Sequence, residues 1–182
     1  MKRVVILASG AGTLAQAIFA APKDYEVAAL ICDRAGARVM EIAREFEIEV
    51  ELLELIGDRS IWNQEILELV SKYQPDLVVS AGFMRILAPE FVQTFKVINT
   101  HPALLPLFPG AHAVRDALTA GATETGSTIH WVDEGVDTGA VIAQERIEIT
   151  ATDTEESLHE RIKIIERGLI VATIPQVLAE LK

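Results

Sequence analysis

The chain predicts a single α/β domain: a Rossmann-like, mostly parallel twisted sheet with helices on both faces and an antiparallel extension in its C-terminal part. Three observations carry this. Short apolar runs alternate with helix-length amphipathic stretches through the first hundred residues, the pattern of βαβ units. After Pro102 the texture changes to a loop punctuated by Pro and Gly, then two strand-like runs joined by a short link, which suits an antiparallel edge. At 182 residues, half of them hydrophobic, the chain is the length of one domain and can bury a core without staples.

Taken in order, strands are expected at Arg3 to Ala8, Val27 to Cys32, Glu49 to Leu53, Leu77 to Ser80 and Val97 to His101. Helices are expected between them from Thr13 to Phe19, Ala37 to Phe46 and Ser60 to Tyr73, the last because Ile61, Trp62, Ile66, Leu69, Val70 and Tyr73 recur at helical spacing. Beyond Pro102 follow a helix from Ala113 to Ala120 and strands at Ser127 to Val132 and Ala140 to Ile149. A final helix begins near Thr154, with Leu158, Ile162, Ile165 and Leu169 as its apolar stripe.

Sixteen Lys and Arg against 27 Asp and Glu leave a formal charge of -11. Nucleic acid and anionic membrane are poor partners for such a surface, because affinity for both comes largely from neutralised phosphates. An anionic small molecule must instead be held by local devices, backbone N–H groups and single cations. Cys32 is the only cysteine, which rules out an intrachain disulfide or a cysteine-rich metal site and suits a reducing, cytoplasmic setting. The basic start and the apolar run from Val4 to Ala8 imitate a signal peptide, but Ser9-Gly10-Ala11-Gly12 interrupts the run after about five residues, short of the usual 7–15.

In open α/β sheets ligands bind beyond the carboxyl ends of the strands, and the unusual residues collect there. Gly10, Ala11, Gly12, Thr13 and Leu14 follow the first strand and open the first helix, where N–H groups and the helix dipole hold a phosphate without net positive charge. The same run, Gly10 to Ala15, satisfies a loose dinucleotide fingerprint with Asp33 where a ribose-binding acid would stand. A tight βα turn is the third reading, and this segment alone does not separate the three.

Asn99 and His101 stand two residues apart at the end of the fifth strand, so both side chains project from one face. The loop Asp133-Glu134-Gly135-Val136-Asp137-Thr138-Gly139 offers a carboxylate to that imidazole. An amide donor and an imidazolium stabilise an oxyanion, and a carboxylate helps move protons from an attacking amine. Together these suit acyl transfer without a covalent nucleophile, whereas a solvated acidic turn and a structural histidine are the plain alternatives. Cys32 ends an apolar strand and reads as packing. His130 shares a strand face with Thr128 and alone reads as structural; His112 and His159 offer no argument.

Four segments, in order, resemble a known family: Leu77-Val-Val-Ser-Ala-Gly-Phe-Met-Arg-Ile-Leu87, Asn99-Thr-His-Pro-Ala-Leu-Leu-Pro106, Phe108-Pro-Gly110 and Val136-Asp-Thr-Gly139 are similar to the signature segments of the phosphoribosylglycinamide formyltransferases. The resemblance covers nearly the whole chain. It implies a single formyltransferase domain over residues 1–182, in which 1–101 form the phosphate-binding βαβ half and 102–182 complete the folate site and catalytic loop. It also implies formyl transfer from 10-formyltetrahydrofolate to the amine of glycinamide ribonucleotide in purine synthesis, with no metal, by a monomer or homodimer.

Carried over by position, Asn99, His101 and Asp137 match the family's catalytic residues and His130 a supporting one. Gly10, Ala11, Gly12, Thr13 and Leu14 match the phosphate loop, with Leu14 where many members have Asn. Lys163 and Glu166 match nucleotide-side positions, Glu166 at the ribose hydroxyls. Arg59, Met84, Arg85, Ile86, Leu87, Asn99, Asp133 and Asp137 match the folate side, with Arg59 near the glutamate tail. Ala103 stands where serine is common. Two other activities remain as alternatives: a formyltetrahydrofolate deformylase, whose members usually carry an additional N-terminal domain, and an NAD-dependent oxidoreductase using Gly10 to Ala15 and Asp33.

Overall fold

The computed structural model describes residues 1–21 and 24–181. Seven strands form one sheet: β1 (Lys2–Ala8), β2 (Tyr25–Cys32), β3 (Val50–Leu52), β4 (Leu77–Ser80), β5 (Val97–His101), β6 (Glu124–Trp131) and β7 (Val141–Glu148). Six helices accompany them: α1 (Thr13–Ala20), α2 (Arg38–Glu45), α3 (Arg59–Lys72), α4 (Pro89–Thr94), α5 (Ala113–Thr119) and α6 (Glu155–Glu180). The strand order is β3-β2-β1-β4-β5-β6-β7. The first five strands are parallel, and β5–β6 and β6–β7 are antiparallel.

The sequence alternation explains both layers. Along β1, Val4, Ile6 and Ala8 face the side covered by α1, α2 and α6, where Ile18, Val39, Ile170 and Ile174 close the core. Val5 and Leu7 face the other side, against Trp62 and Ile66 of α3 and Phe91 of α4. A strand buried on both faces reads as a continuous apolar run, which is why Val4 to Leu7 contains no polar residue.

Several expectations need correction. Helix α4 was not anticipated: it has six residues, a proline in its first turn and a single buried apolar side chain, Phe91, too little for a 3.6-residue period to register. In α3, Ile61 is exposed while Trp62, Ile66, Leu69 and Val70 are buried. In α6 the buried series is Leu158, Ile162, Glu166, Ile170 and Ile174, so Ile165 and Leu169 only flank the stripe and a glutamate stands within it. Strand β6 begins at Glu124 rather than Ser127. Helix α6 starts where expected, because the Thr154 hydroxyl accepts from Ser157 N at 3.1 Å and the Ser157 hydroxyl accepts from Thr154 N at 2.9 Å, a reciprocal cap.

Candidate active site

Strands β1 and β4 are neighbours, yet the chain leaves β1 toward β2 and leaves β4 toward β5, on opposite sides. That divergence opens the crevice at the carboxyl ends. A cleft of about 510 Å³ lies there, lined by residues 10–14, 80–87, 99–102, 110–111, 130, 132–133, 135–137 and three positions of α6, His159, Lys163 and Glu166.

Its floor is built from β5, β6 and the loop after β6. In the antiparallel register Asn99 lies opposite His130 and His101 opposite Thr128, so the two histidines come from adjacent strands onto one face. Asn99 Nδ2 is 3.4 Å from His130 Nε2. Asp137 then bridges both rings: Oδ2 is 3.3 Å from His101 Nδ1 and Oδ1 is 3.5 Å from His130 Nε2. His101 Nε2 donates to the Phe108 carbonyl at 2.7 Å, so both nitrogens of that ring face acceptors. His130 Nδ1 donates to the Trp131 carbonyl at 2.9 Å, which fixes the ring's orientation. Beneath them the Thr128 hydroxyl accepts from Leu105 N and donates to the Ala103 carbonyl, tying β6 to the chain that follows His101.

Asp137 is placed by its own loop. Its φ of 56° is left-handed, a conformation that Asp tolerates better than most residues. Asp133 laces the loop by accepting from Gly135 N at 3.0 Å and Thr138 Oγ1 at 2.7 Å. At Gly139 a Cβ would lie 1.7 Å from the Trp131 carbonyl oxygen, so only glycine lets the loop return this closely to β6. Interaction with His130, the Gly110 N–H at 2.8 Å and the charge of His101 hold the Asp137 carboxyl below the usual range, against the opposing effect of partial burial. An anionic carboxylate thus sits between two imidazoles, beside an amide.

On one side of this floor the 9–14 loop runs into α1, which has Gly12 at its N-cap and no side-chain cap. Its first N–H groups are therefore free of side-chain competitors, as an anion site requires. A Cβ on Gly12 would stand 2.7 Å from Val39 Cβ, so glycine is also what lets α2 pack here. Lys163 and Glu166 reach the same cleft from α6. Lys163 pairs with Glu160 at 2.6 Å rather than with Glu166. Burial pushes the Glu166 carboxyl up to about 7, with Lys163, Arg167 and Ser127 acting the other way.

On the other side lies the irregular segment 82–87. Met84 and Ile86 are 68% and 66% exposed, large apolar surfaces at the rim where a flat ring system gains from contact. Among the described residues no group of three or more His, Cys, Asp or Glu side chains is arranged to hold a metal ion, and no helix is long and apolar enough to cross a membrane.

Residues 2–174 match the family described as formyl transferase. The chain belongs to that family. It is 48% identical over 179 residues to a phosphoribosylglycinamide formyltransferase of Mycobacterium tuberculosis strain H37Rv, covering 94% of this chain and 83% of that one. Among solved structures it is similar to glycinamide ribonucleotide transformylase 1 from Symbiobacterium toebii, with a TM-score of 0.95, 34% identity and coverage of 98% and 88% of the two chains. It is similar too to the phosphoribosylglycinamide formyltransferase of Bacillus halodurans, with a TM-score of 0.93, 41% identity and coverage of 100% and 97%.

In this formyl transferase every expected site residue but one lines the cleft. The exception is Arg59, which stands behind segment 82–87: it donates to the Ile86 carbonyl and to Asn63 Oδ1, with its guanidinium 4.8 Å above the Trp62 ring. Asp33, the acid that a dinucleotide site needs, is not on the cleft wall. Its side chain is 1% exposed and bonded to Arg85, which removes the ribose contact from the oxidoreductase alternative. His159 was passed over in the sequence yet lines the cleft. The signal was its spacing, four residues before Lys163 and seven before Glu166, which puts all three on one helical face. Phe108 and Gly110 belong to the third of the resembling segments, but their part here, the Phe108 carbonyl on His101 and the Gly110 N–H on Asp137, is played by backbone groups, which no side-chain pattern announces.

Proposed function

We propose that this chain transfers a formyl group from 10-formyltetrahydrofolate to the amine of glycinamide ribonucleotide, a step of purine synthesis carried out in the cytoplasm. The observation that carries the reading is the bridging carboxylate: Asp137 lies 3.3 and 3.5 Å from His101 and His130, at the meeting point of a phosphate-type loop and an apolar-rimmed segment. The names of the similar proteins agree with it.

The nucleotide half is drawn from Gly10, Ala11, Gly12, Thr13 and Leu14 with Lys163 and Glu166, so that backbone N–H groups and one cation meet the phosphate and the carboxyl meets the ribose. The donor half is drawn from Met84, Arg85, Ile86 and Leu87 with Asp133; Arg59, outside the cleft lining but bonded to the Ile86 carbonyl, is assigned to the outer end where the glutamate tail leaves. Between them the amine nitrogen attacks the formyl carbon, and the carbonyl electron pair moves onto oxygen. Asn99 Nδ2 and the imidazolium of His101 stabilise that oxyanion. The His101 N–H now given to the Phe108 carbonyl is the donor the oxyanion must take over. Asp137 holds the imidazolium and accepts, through water, the proton that the amine sheds. Collapse restores the carbonyl from the oxyanion's electron pair and breaks the bond from carbon to folate nitrogen, which leaves with the proton that Asp137 took from the amine, returned through water.

Purified protein supplied with both substrates is expected to yield formylglycinamide ribonucleotide, and His101→Ala is expected to lower kcat by about 10²-fold or more, the usual range for a lost oxyanion donor, with little change in nucleotide affinity. Near-normal turnover in that variant removes His101 from the mechanism. Formate release without any amine acceptor identifies a hydrolase instead.

A further inference from the structure

Segment 82–87 has no regular secondary structure, yet it is fixed from three directions. Ser9, after β1, accepts from Met84 N through its hydroxyl at 2.8 Å and donates its own N–H to the Gly82 carbonyl at 3.2 Å. Arg59, at the start of α3, holds the Ile86 carbonyl from behind. The third attachment is the ion pair of Arg85 Nε with Asp33 Oδ2 at 2.5 Å.

That last pair is unusual in its chemistry. Asp33 is 3% exposed, and its Oδ1 is buried with no hydrogen-bond partner. The carboxylate is therefore compensated through a single contact, by a guanidinium that is itself 31% exposed at the cleft wall. A stable core does not call for such a group, since apolar residues of similar size serve as well or better. Once it is present, however, any displacement of segment 82–87 away from β2 strands a buried charge. The pair thus gives a stretch without regular secondary structure a single favoured position.

We propose that Asp33 is a positioning residue for the formyl-donor half of the site: by holding Arg85 Nε it fixes the backbone of segment 82–87 in the form that receives the donor, while touching no substrate itself. This rests on the formyl-transfer reading above and adds to it a residue outside the cleft. The effect falls mainly on the donor half: Asp33 bonds neither the 9–14 loop nor α6, and segment 82–87 meets that loop through Ser9 alone, ahead of the Gly10 to Leu14 stretch assigned to the nucleotide.

The test compares wild type with Asp33→Asn, Asp33→Ala, Arg85→Ala and the double variant Asp33→Ala/Arg85→Ala. Both KM values are measured, together with Kd for tetrahydrofolate alone by calorimetric titration. In Asp33→Ala the donor KM and tetrahydrofolate Kd are expected to rise about tenfold, equivalent to about 1.4 kcal/mol, with the nucleotide KM within about twofold of wild type. Asp33→Asn keeps the shape and an acceptor, so it falls between, and it carries the test if the alanine variant fails to fold. The double variant is expected to be no worse than Arg85→Ala, because Asp33 acts only through that residue. A parallel rise of both KM values, multiplied losses in the double variant, or a lowered Tm with unchanged donor constants overturns the proposal. If wild type turns over normally and Asp33→Ala matches it, this inference alone fails; if wild type neither binds tetrahydrofolate nor forms product, the formyl-transfer reading falls and takes the inference with it.

Discussion

Asp137 reaches His101 because of Gly139. The Asp137 carboxylate lies 3.3 Å from His101 Nδ1, and the loop carrying it returns to β6 so closely that a Cβ on Gly139 would meet the Trp131 carbonyl oxygen at 1.7 Å. Gly139→Ala must therefore push the loop away from the strand. Overpacking of this kind costs about 1–3 kcal/mol and more where backbone must move, so urea titration is expected to show an unfolding free energy lower by at least about 2 kcal/mol, with the midpoint falling accordingly. Turnover should fall beyond what the remaining folded fraction accounts for, since Asp137 no longer spans the two rings. An unchanged midpoint would show that the loop has another way round.

Asp137→Asn separates charge from shape. The amide still accepts from Gly110 N, so the loop keeps its anchor, but the anion between the imidazoles is gone. A fall in kcat of about 10²-fold or more is expected, with both KM values little changed. Stability supplies the second measurement. Because the folded carboxyl is held below its ordinary value of 3.8, its stabilising effect is present above that pH and is lost as pH drops through the depressed folded value. The stability gap between wild type and Asp137→Asn should hold steady from pH 7 to 5 and close only in stronger acid.

How far such relationships could be read from the sequence depends on their range. The parallel strands were legible because Val4 to Leu7 and Leu77 to Val79 are buried on both faces and leave an apolar run in the chain. Helix α4 was not, since Phe91 is its single fully buried side chain and only Val92 packs beside it from the same helix. Asn99 and His101 were legible as a pair by two-residue periodicity. Their meeting with Asp137 depends on the β5–β6 register and on the left-handed backbone at Asp137, which no local pattern encodes. The ribose alternative for Asp33 falls for the same reason: spacing after a glycine loop allows it, whereas the fold brings the Arg85 side chain from beyond β4 to the residue that follows β2.

Leu14 tests the phosphate loop. It is half-buried against the α1 side of the core, where many relatives resembled by this sequence carry Asn. Leu14→Asn exchanges that packing for a side-chain amide, and the expected result is a nucleotide KM lowered several-fold with a loss of about 1 kcal/mol in stability. Initial-rate kinetics and urea titration read the two effects separately. A raised KM would mean that the backbone N–H groups suffice and the apolar contact sets the loop.

Glu166 makes the pH dependence of folding a probe of the nucleotide wall. It occupies the buried stripe of α6, and burial raises its carboxyl from 4.5 to about 7. An acid whose folded value lies above its unfolded one binds more protons when folded, so between those two values stability falls as pH rises. At about 1.4 kcal/mol per pH unit the full span is worth about 3 kcal/mol, an upper figure because the residue borders an open cleft. Glu166→Gln removes the ionisation and keeps the shape. Relative to wild type, that variant should gain stability from pH 4.5 to about 7 in urea titrations and level off above it. On the proposed ribose contact its loss of nucleotide affinity sets in above about pH 7, where wild type carries the carboxylate. Parallel stability curves across that range would mean that Glu166 is ionised in the folded chain throughout, with Lys163 swung from Glu160 to meet it.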